Sequence, residues 1–245
     1  MRPMRIGLAL AYASAMALVA AAAPAGGAQP RCQAGVLHPV GTPTAAYSAA
    51  AIGATRTYRR PGGELLSVFP RLNKLRFPTT FSIVGAIVNA RCGASWYRVK
   101  VPVRPNGVVG YVHPGDVVVR KVTTRISVDL SRRTLSLYRR GRLVLTTPVA
   151  VGTPETPTPI GRYYVNQRIT VIDPEGPYGP AVLGVSAFSN VLTGWADGAP
   201  IGIHGTNQPW SIGQAASNGC IRVPNATLLR LFAAADAGTP VVIHP

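Results

Sequence analysis

Ser217-Asn218-Gly219-Cys220-Ile221-Arg222-Val223 follows Ile203-His204-Gly205-Thr206, with Cys220 sixteen positions after His204. A thiol attacks carbonyl carbon well at neutral pH only when a neighbour lowers its pKa or takes its proton, and an imidazole can do both. His204 ends the apolar run Ile201-Gly202-Ile203, which reads as a strand holding the ring on a rigid edge. Gly219 lets the backbone turn sharply before Cys220, so that the Gly219 and Cys220 amides can point at a developing oxyanion. The nearest acid before His204 is Asp197, seven residues away, so a backbone carbonyl at Gly205 is the candidate that orients the imidazole.

A single cysteine is more often a small core residue than a nucleophile. Here polar turn residues surround it, and the cysteine count gives it meaning. The chain has three cysteines, Cys32, Cys92 and Cys220. Arg2 and Arg5 precede an apolar run from Ile6 to Ala23, and small residues through Ala28 mark a cleaved export signal over residues 1–28. The run is alanine-rich and ends at Pro24, which favours cleavage over retention as an anchor. Exported thiols are oxidised, so Cys32 is expected to pair with Cys92 and leave Cys220 free. His204 and Cys220 do not read as a metal site, because His38, His113 and His244 stand at no ligand spacing. No cofactor and no metal are expected.

Removal of 28 residues leaves 217, enough for two small domains. Hydrophobic residues make up 47% and charged ones 13%, which excludes a disordered chain, while 26 glycines and 23 prolines suit short strands and turns. The formal net charge is +17, or +15 without Arg2 and Arg5, and it is carried almost wholly by arginine. Export argues against nucleic acid as its partner, and anionic envelope polymers suit it better.

The elements that must position the motif divide near Val122 to Arg125. Residues 29–121 hold short apolar runs, among them Phe81 to Val88, Trp96 to Val101 and Val108 to Val112, with a strong turn at Arg104-Pro105-Asn106-Gly107. Residues 122–245 begin with alternating Ile126, Val128 and Leu130, then turn at Ser131-Arg132-Arg133 and again at Arg140-Gly141. Gly152 to Gly161, with Pro154, Pro157 and Pro159, is a stiff loop outside any sheet interior. Asp173 to Gly184 reads as a surface flap over a neighbouring site. Asn225 is placed to cap a helix carrying Leu228, Leu229 and Phe232, with Gly238 closing it before a last strand at Val241 to Ile243. The fold class is mainly β with one late helix.

The block from His204 to Asn207 and from Ser217 to Val223 closely resembles the signature of the L,D-transpeptidase catalytic domain of the YkuD type. Ile126 to Tyr138, Pro148 to Gly152 and Thr158-Pro159-Ile160-Gly161 are similar to that family in order and spacing, so the resemblance runs from Thr124 to His244. It implies a β-sandwich and acyl transfer on peptidoglycan stem peptides in the periplasm or cell wall. The cysteine attacks the third stem residue, expels the terminal D-alanine and passes the acyl group to a second stem as a 3→3 crosslink. Carried over by position, Cys220 is the nucleophile, His204 the general base and acid, Gly205 its backbone orienter and Gly219 the oxyanion amide. Ser217, Asn218, Arg222, Thr206 and Asn207 are the substrate-binding candidates, and Asn218 stands where many members have histidine. For Arg222, a structural ion pair and a carboxylate-binding role are equally open. Carbapenem-type inhibitors are the implied covalent ligands. Trp96 to Val119 resembles the later part of a bacterial SH3-like barrel, which implies a wall-binding or positioning module. Two alternatives stay open: a hydrolase of stem peptides at the same site, and a non-catalytic wall-binding protein.

Overall fold

The computed structural model describes residues 32–195 and 198–245. The export segment at residues 1–28 therefore lies outside the described residues, as does Asp197.

Short runs broken by turns give eight strands in the first half: β1 (Leu37–Pro39), β2 (Ala46–Ala51), β3 (Thr55–Tyr58), β4 (Leu65–Phe69), β5 (Thr80–Val88), β6 (Ala94–Lys100), β7 (Val109–Val112) and β8 (Val117–Val122). They form one sheet in the order β4-β3-β7-β6-β5-β2-β8, with β1 also on β5. Phe81, Ile83, Val99 and Val112 centre its core. Cys32 and Cys92 are joined in a disulfide that ties the start of the described chain to the β5–β6 turn.

The second half contributes β9 (Thr124–Asp129), β10 (Thr134–Arg139), β11 (Arg142–Pro148), β12 (Val151–Gly152), β13 (Gly161–Thr170), β14 (Ala181–Phe188), β15 (Pro200–His204), β16 (Ala215–Ser217), β17 (Ile221–Arg222), α1 (Asn225–Ala234) and β18 (Pro240–His244). Its large sheet runs β11-β10-β9-β18-β13-β14-β15-β17, and β12 pairs with β16 apart from it. Strand β13 is long because it serves two neighbours: Gly161 to Tyr164 pair with β18, and Val165 to Thr170 pair with β14. The sheet thereby turns over a single core in which Ile126, Val128, Leu135 and Leu137 meet Leu183, Val185, Ile201 and Ile203. The protein is mainly β, with one helix late in the chain. Among the described residues no helix is long and apolar enough to cross a membrane.

Two expectations about α1 need correction. Pro224, not Asn225, occupies the N-cap, and no side chain caps the helix. Asn225 has been drawn elsewhere, because its Oδ1 accepts the Thr206 N–H at 2.8 Å. The helix also ends at Ala234 and not at Gly238. Gly238, at φ +95°, is needed instead where the backbone passes against the Ser48 side chain of β2.

The β6–β7 turn latches the two sheets together. Arg104 Nη2 donates to the Ser189 and Gly198 carbonyls at 2.7 and 2.6 Å. Asn106 pairs with the Phe188 backbone like a strand neighbour, donating to its carbonyl at 2.7 Å and accepting its N–H at 2.9 Å. Lys100 Nζ adds a bond to the Arg162 carbonyl at 2.5 Å. Residues 32–245 form one compact unit.

Candidate active site

Strand parity places the reactive side chains. Ile201 and Ile203 of β15 face the core and are buried, so Gly202 and His204 face the other way. The parallel partner β17 sets Ile221 beside Ile203 and Arg222 beside His204. Cys220, one residue earlier, therefore comes beside Gly202. Cys220, His204, Arg222, Ser217 and Asn218 all line one cavity of about 600 Å³. Cys220 is the only free cysteine among the described residues.

The turn before Cys220 is built from small polar contacts. Gly219 sits at φ +106°, a conformation that side-chain-bearing residues rarely adopt. Ser217 Oγ accepts the Gly219 N–H at 3.1 Å and donates to the Cys220 carbonyl at 2.5 Å. The Gly219 amide, expected at the oxyanion, is here engaged by Ser217 Oγ within the turn. The threonine- and proline-rich loop holds the turn from outside: the Ser217 carbonyl accepts from Thr153 N and Thr156 Oγ1, both at 3.0 Å. Thr158 Oγ1 in turn accepts the Gly152 N–H at 2.8 Å.

The imidazole is fixed by its own neighbour. His204 Nδ1 lies 2.6 Å from the Gly205 carbonyl oxygen. A carbonyl only accepts, so the proton resides on Nδ1 and Nε2 keeps its lone pair. Gly205 must be glycine for lack of room, because an added Cβ would strike Asn225 Oδ1 and come 3.0 Å from Gly179 Cα. Tyr178 stands edge-on to the ring, with centroids 5.0 Å apart. It belongs to the connection between β13 and β14, and the expected flap is shorter than Asp173 to Gly184 because Ala181 onward is strand β14.

Burial dominates the electrostatics. It pushes His204 down to about 4; the Gly205 carbonyl opposes this and the Arg222 charge adds to it. Burial also pushes the Cys220 thiol up, against the smaller lowering influences of the Gly202 backbone and Arg222. The resting pair is thus a neutral thiol beside a neutral imidazole. Of the two ways in which an imidazole can help a thiol, proton removal fits this site and a lowered thiol pKa does not.

Thr206 and Asn207 do not line the cavity. Thr206 is buried in its own turn, where Oγ1 accepts the Gln208 N–H at 2.9 Å, and Asn207 is exposed outside the cavity. Arg222 Nη1 donates to Gln208 Oε1 at 2.8 Å and to Ser211 Oγ at 3.4 Å, both neutral acceptors. The sequence reading overlooked Gly202 and Asn225 as parts of the site. A glycine between two isoleucines of a strand was the available signal for the first.

Comparison with known proteins supplies the family. Residues 123–243 match the family YkuD, the L,D-transpeptidase catalytic domain. A Bacillus licheniformis protein named for L,D-transpeptidase, YkuD, is 44% identical over 121 residues, which are 49% of this chain and 66% of the relative. A Bacillus subtilis protein, YqjB, also named for that activity, is 33% identical over 142 residues, covering 53% of this chain and 72% of its own length. The chain spans about two thirds of the length of the YkuD relatives, 66% and 65%. Among solved structures, the Enterococcus faecium L,D-transpeptidase catalytic domain acylated by ertapenem is 28% identical, covers 49% of this chain and 96% of that one, and has a TM-score of 0.37. From residue 123 to residue 243, the chain belongs to the L,D-transpeptidase family of the YkuD type.

Proposed function

We propose that the chain is a cysteine acyltransferase acting on peptidoglycan stem peptides outside the cytoplasm. The single observation that carries this reading is that Cys220 and His204 line one cavity while the Gly205 carbonyl holds Nδ1, leaving Nε2 as a base. Nε2 takes the Cys220 proton as sulfur bonds to the carbonyl carbon of the third stem residue. The negative charge on the carbonyl oxygen faces the Cys220 end of the turn, whose own amide is the donor next along from the engaged Gly219. His204 returns the proton to the departing D-alanine nitrogen as the C–N bond breaks, leaving a thioester. The amine of a second stem peptide then attacks, its proton passes to His204, and Cys220 is released as a thiol with a 3→3 crosslink formed. Arg222, hydrogen-bonded to the neutral acceptors Gln208 and Ser211, suits the carboxylate of the leaving residue. Ser217 shapes the turn, and Asn218 contacts substrate at the cavity rim.

Export over residues 1–28, a wall-positioning role for the first sheet and carbapenem acylation of Cys220 belong to the same reading. The disulfide fits an oxidising compartment. The test incubates the protein with purified stem tetrapeptide and a carbapenem in separate arms, followed by mass spectrometry. Crosslinked dimer with loss of D-alanine, and a carbapenem adduct absent from Cys220→Ala, are expected. Free tripeptide without dimer would replace transfer by hydrolysis, and an adduct that survives Cys220→Ala would overturn the assignment of the nucleophile.

A further inference from the structure

A row of backbone positions runs across the sheet from the candidate nucleophile. Cys220 lies beside Gly202, Gly202 pairs with Gly184 on β14, and Gly184 pairs with Gln167 on β13. All four line the cavity that holds His204. Neither glycine has a positive φ, so backbone conformation does not require glycine at either position. Space is tight at both: a Cβ on Gly202 would stand 3.0 Å from Val182 Cγ1, and one on Gly184 would stand 2.5 Å from Gln167 Cγ. The two bare residues leave a smooth floor, and three strand spacings make it about 14 Å long, the span of about four extended residues.

The far end of this floor is not closed by the family domain alone. Gln167 Oε1 accepts a bond from Asn73 Nδ2 at 2.9 Å, and Asn73 sits on the loop between β4 and β5 of the first sheet. Asn73 Oδ1 meanwhile accepts the Leu75 and Phe77 N–H groups, each at 3.0 Å, so the loop has a fixed shape. Leu75 lines the same cavity as Cys220 yet is 56% exposed, an apolar side chain presented to an open groove. Both Asn73 and Leu75 fall outside residues 123–243.

We propose that Gly184 and Gly202 floor a trench for the acyl-donor stem peptide, and that Leu75, set by Asn73 on Gln167, is the wall that receives its first residues. The first sheet then reads donor length, and chemistry at Cys220 does not depend on it. This rests on the acyl-transfer reading above. Full-length Leu75→Asp and Asn73→Ala would be assayed with a stem tetrapeptide and with its N-acetylated C-terminal dipeptide as donors. Each protein's Cys220 would also be alkylated with iodoacetamide, and thermal melts would follow folding. For Leu75→Asp, KM for the tetrapeptide rises roughly tenfold, with kcat, the dipeptide KM and the alkylation rate all within about twofold of the parent. Asn73→Ala gives the same pattern at smaller size. An unchanged tetrapeptide KM, or equal rises for both donors, would overturn the wall. Failure of the parent protein to use either donor, with alkylation intact, would instead overturn the acyl-transfer reading and the trench's substrate with it.

Discussion

At the scale of single residues, the site depends on what burial does to two ionisable groups. Cys220 and His204 are both neutral at rest. His204 also ties the site to stability. Its folded pKa of about 4 lies below its usual 6.5, so the unfolded chain binds a proton that the native state refuses. Its contribution is present in full above pH 6.5 and is lost as pH falls from there towards 4. Between pH 7 and pH 4.5, urea midpoints of the parent should therefore report about 2–3 kcal/mol more destabilisation than those of His204→Gln. Equal losses in the two proteins would mean that the ring is charged in the native state.

At the scale of elements, the functional groups are held both by strand pairing within the motif and by pieces of chain outside it. Val223 N–H and the His204 carbonyl, 2.8 Å apart, bind β17 to β15, and the threonine–proline loop grips the turn from behind. Asn225 is the most exacting of these supports. It stands at the start of α1 but works sideways, on Thr206 and Gly205. Asn225→Ala should cost about 1–2 kcal/mol through the orphaned Thr206 N–H and not through helix capping. Because the Gly205 carbonyl would lose its backing, kcat should fall by roughly tenfold with KM little changed. A stability loss with unchanged kcat would make Asn225 purely structural.

At the scale of the whole molecule, two sheets share one groove. The Arg104 and Asn106 latch holds the first sheet against Phe188, Ser189 and Gly198, and the Asn73–Gln167 bond brings Leu75 to the cavity. Arg104→Ala, which leaves two carbonyls without that donor, should lower stability by about 1–3 kcal/mol in a thermal or urea melt. It should raise the tetrapeptide KM and leave iodoacetamide alkylation of Cys220 unchanged, because none of the latch's hydrogen bonds reaches a residue of β15 or β17. Slower alkylation would show that the first sheet supports the nucleophile itself.

Family and fold class were legible in the residues alone. A histidine ending an apolar run, a glycine turn before a cysteine, and alternating strands with one late helix are local patterns set by side-chain type and spacing. The Gly205 carbonyl was legible too, since it is covalently next to His204. Other features required distant segments to meet. Burial, which no spacing encodes, decided that both reactive groups rest neutral. Ser217 competed for the Gly219 amide only once the turn had closed. Asn225 left its expected cap because Thr206 offered an N–H nineteen residues back in the chain. The glycine-floored trench exists because strand register aligns Cys220, Gly202, Gly184 and Gln167, residues separated by up to 53 positions (220 minus 167). Local sequence determines which groups can react; tertiary packing determines their protonation, their free donors and the shape of what they can reach, because those properties belong to neighbours in space.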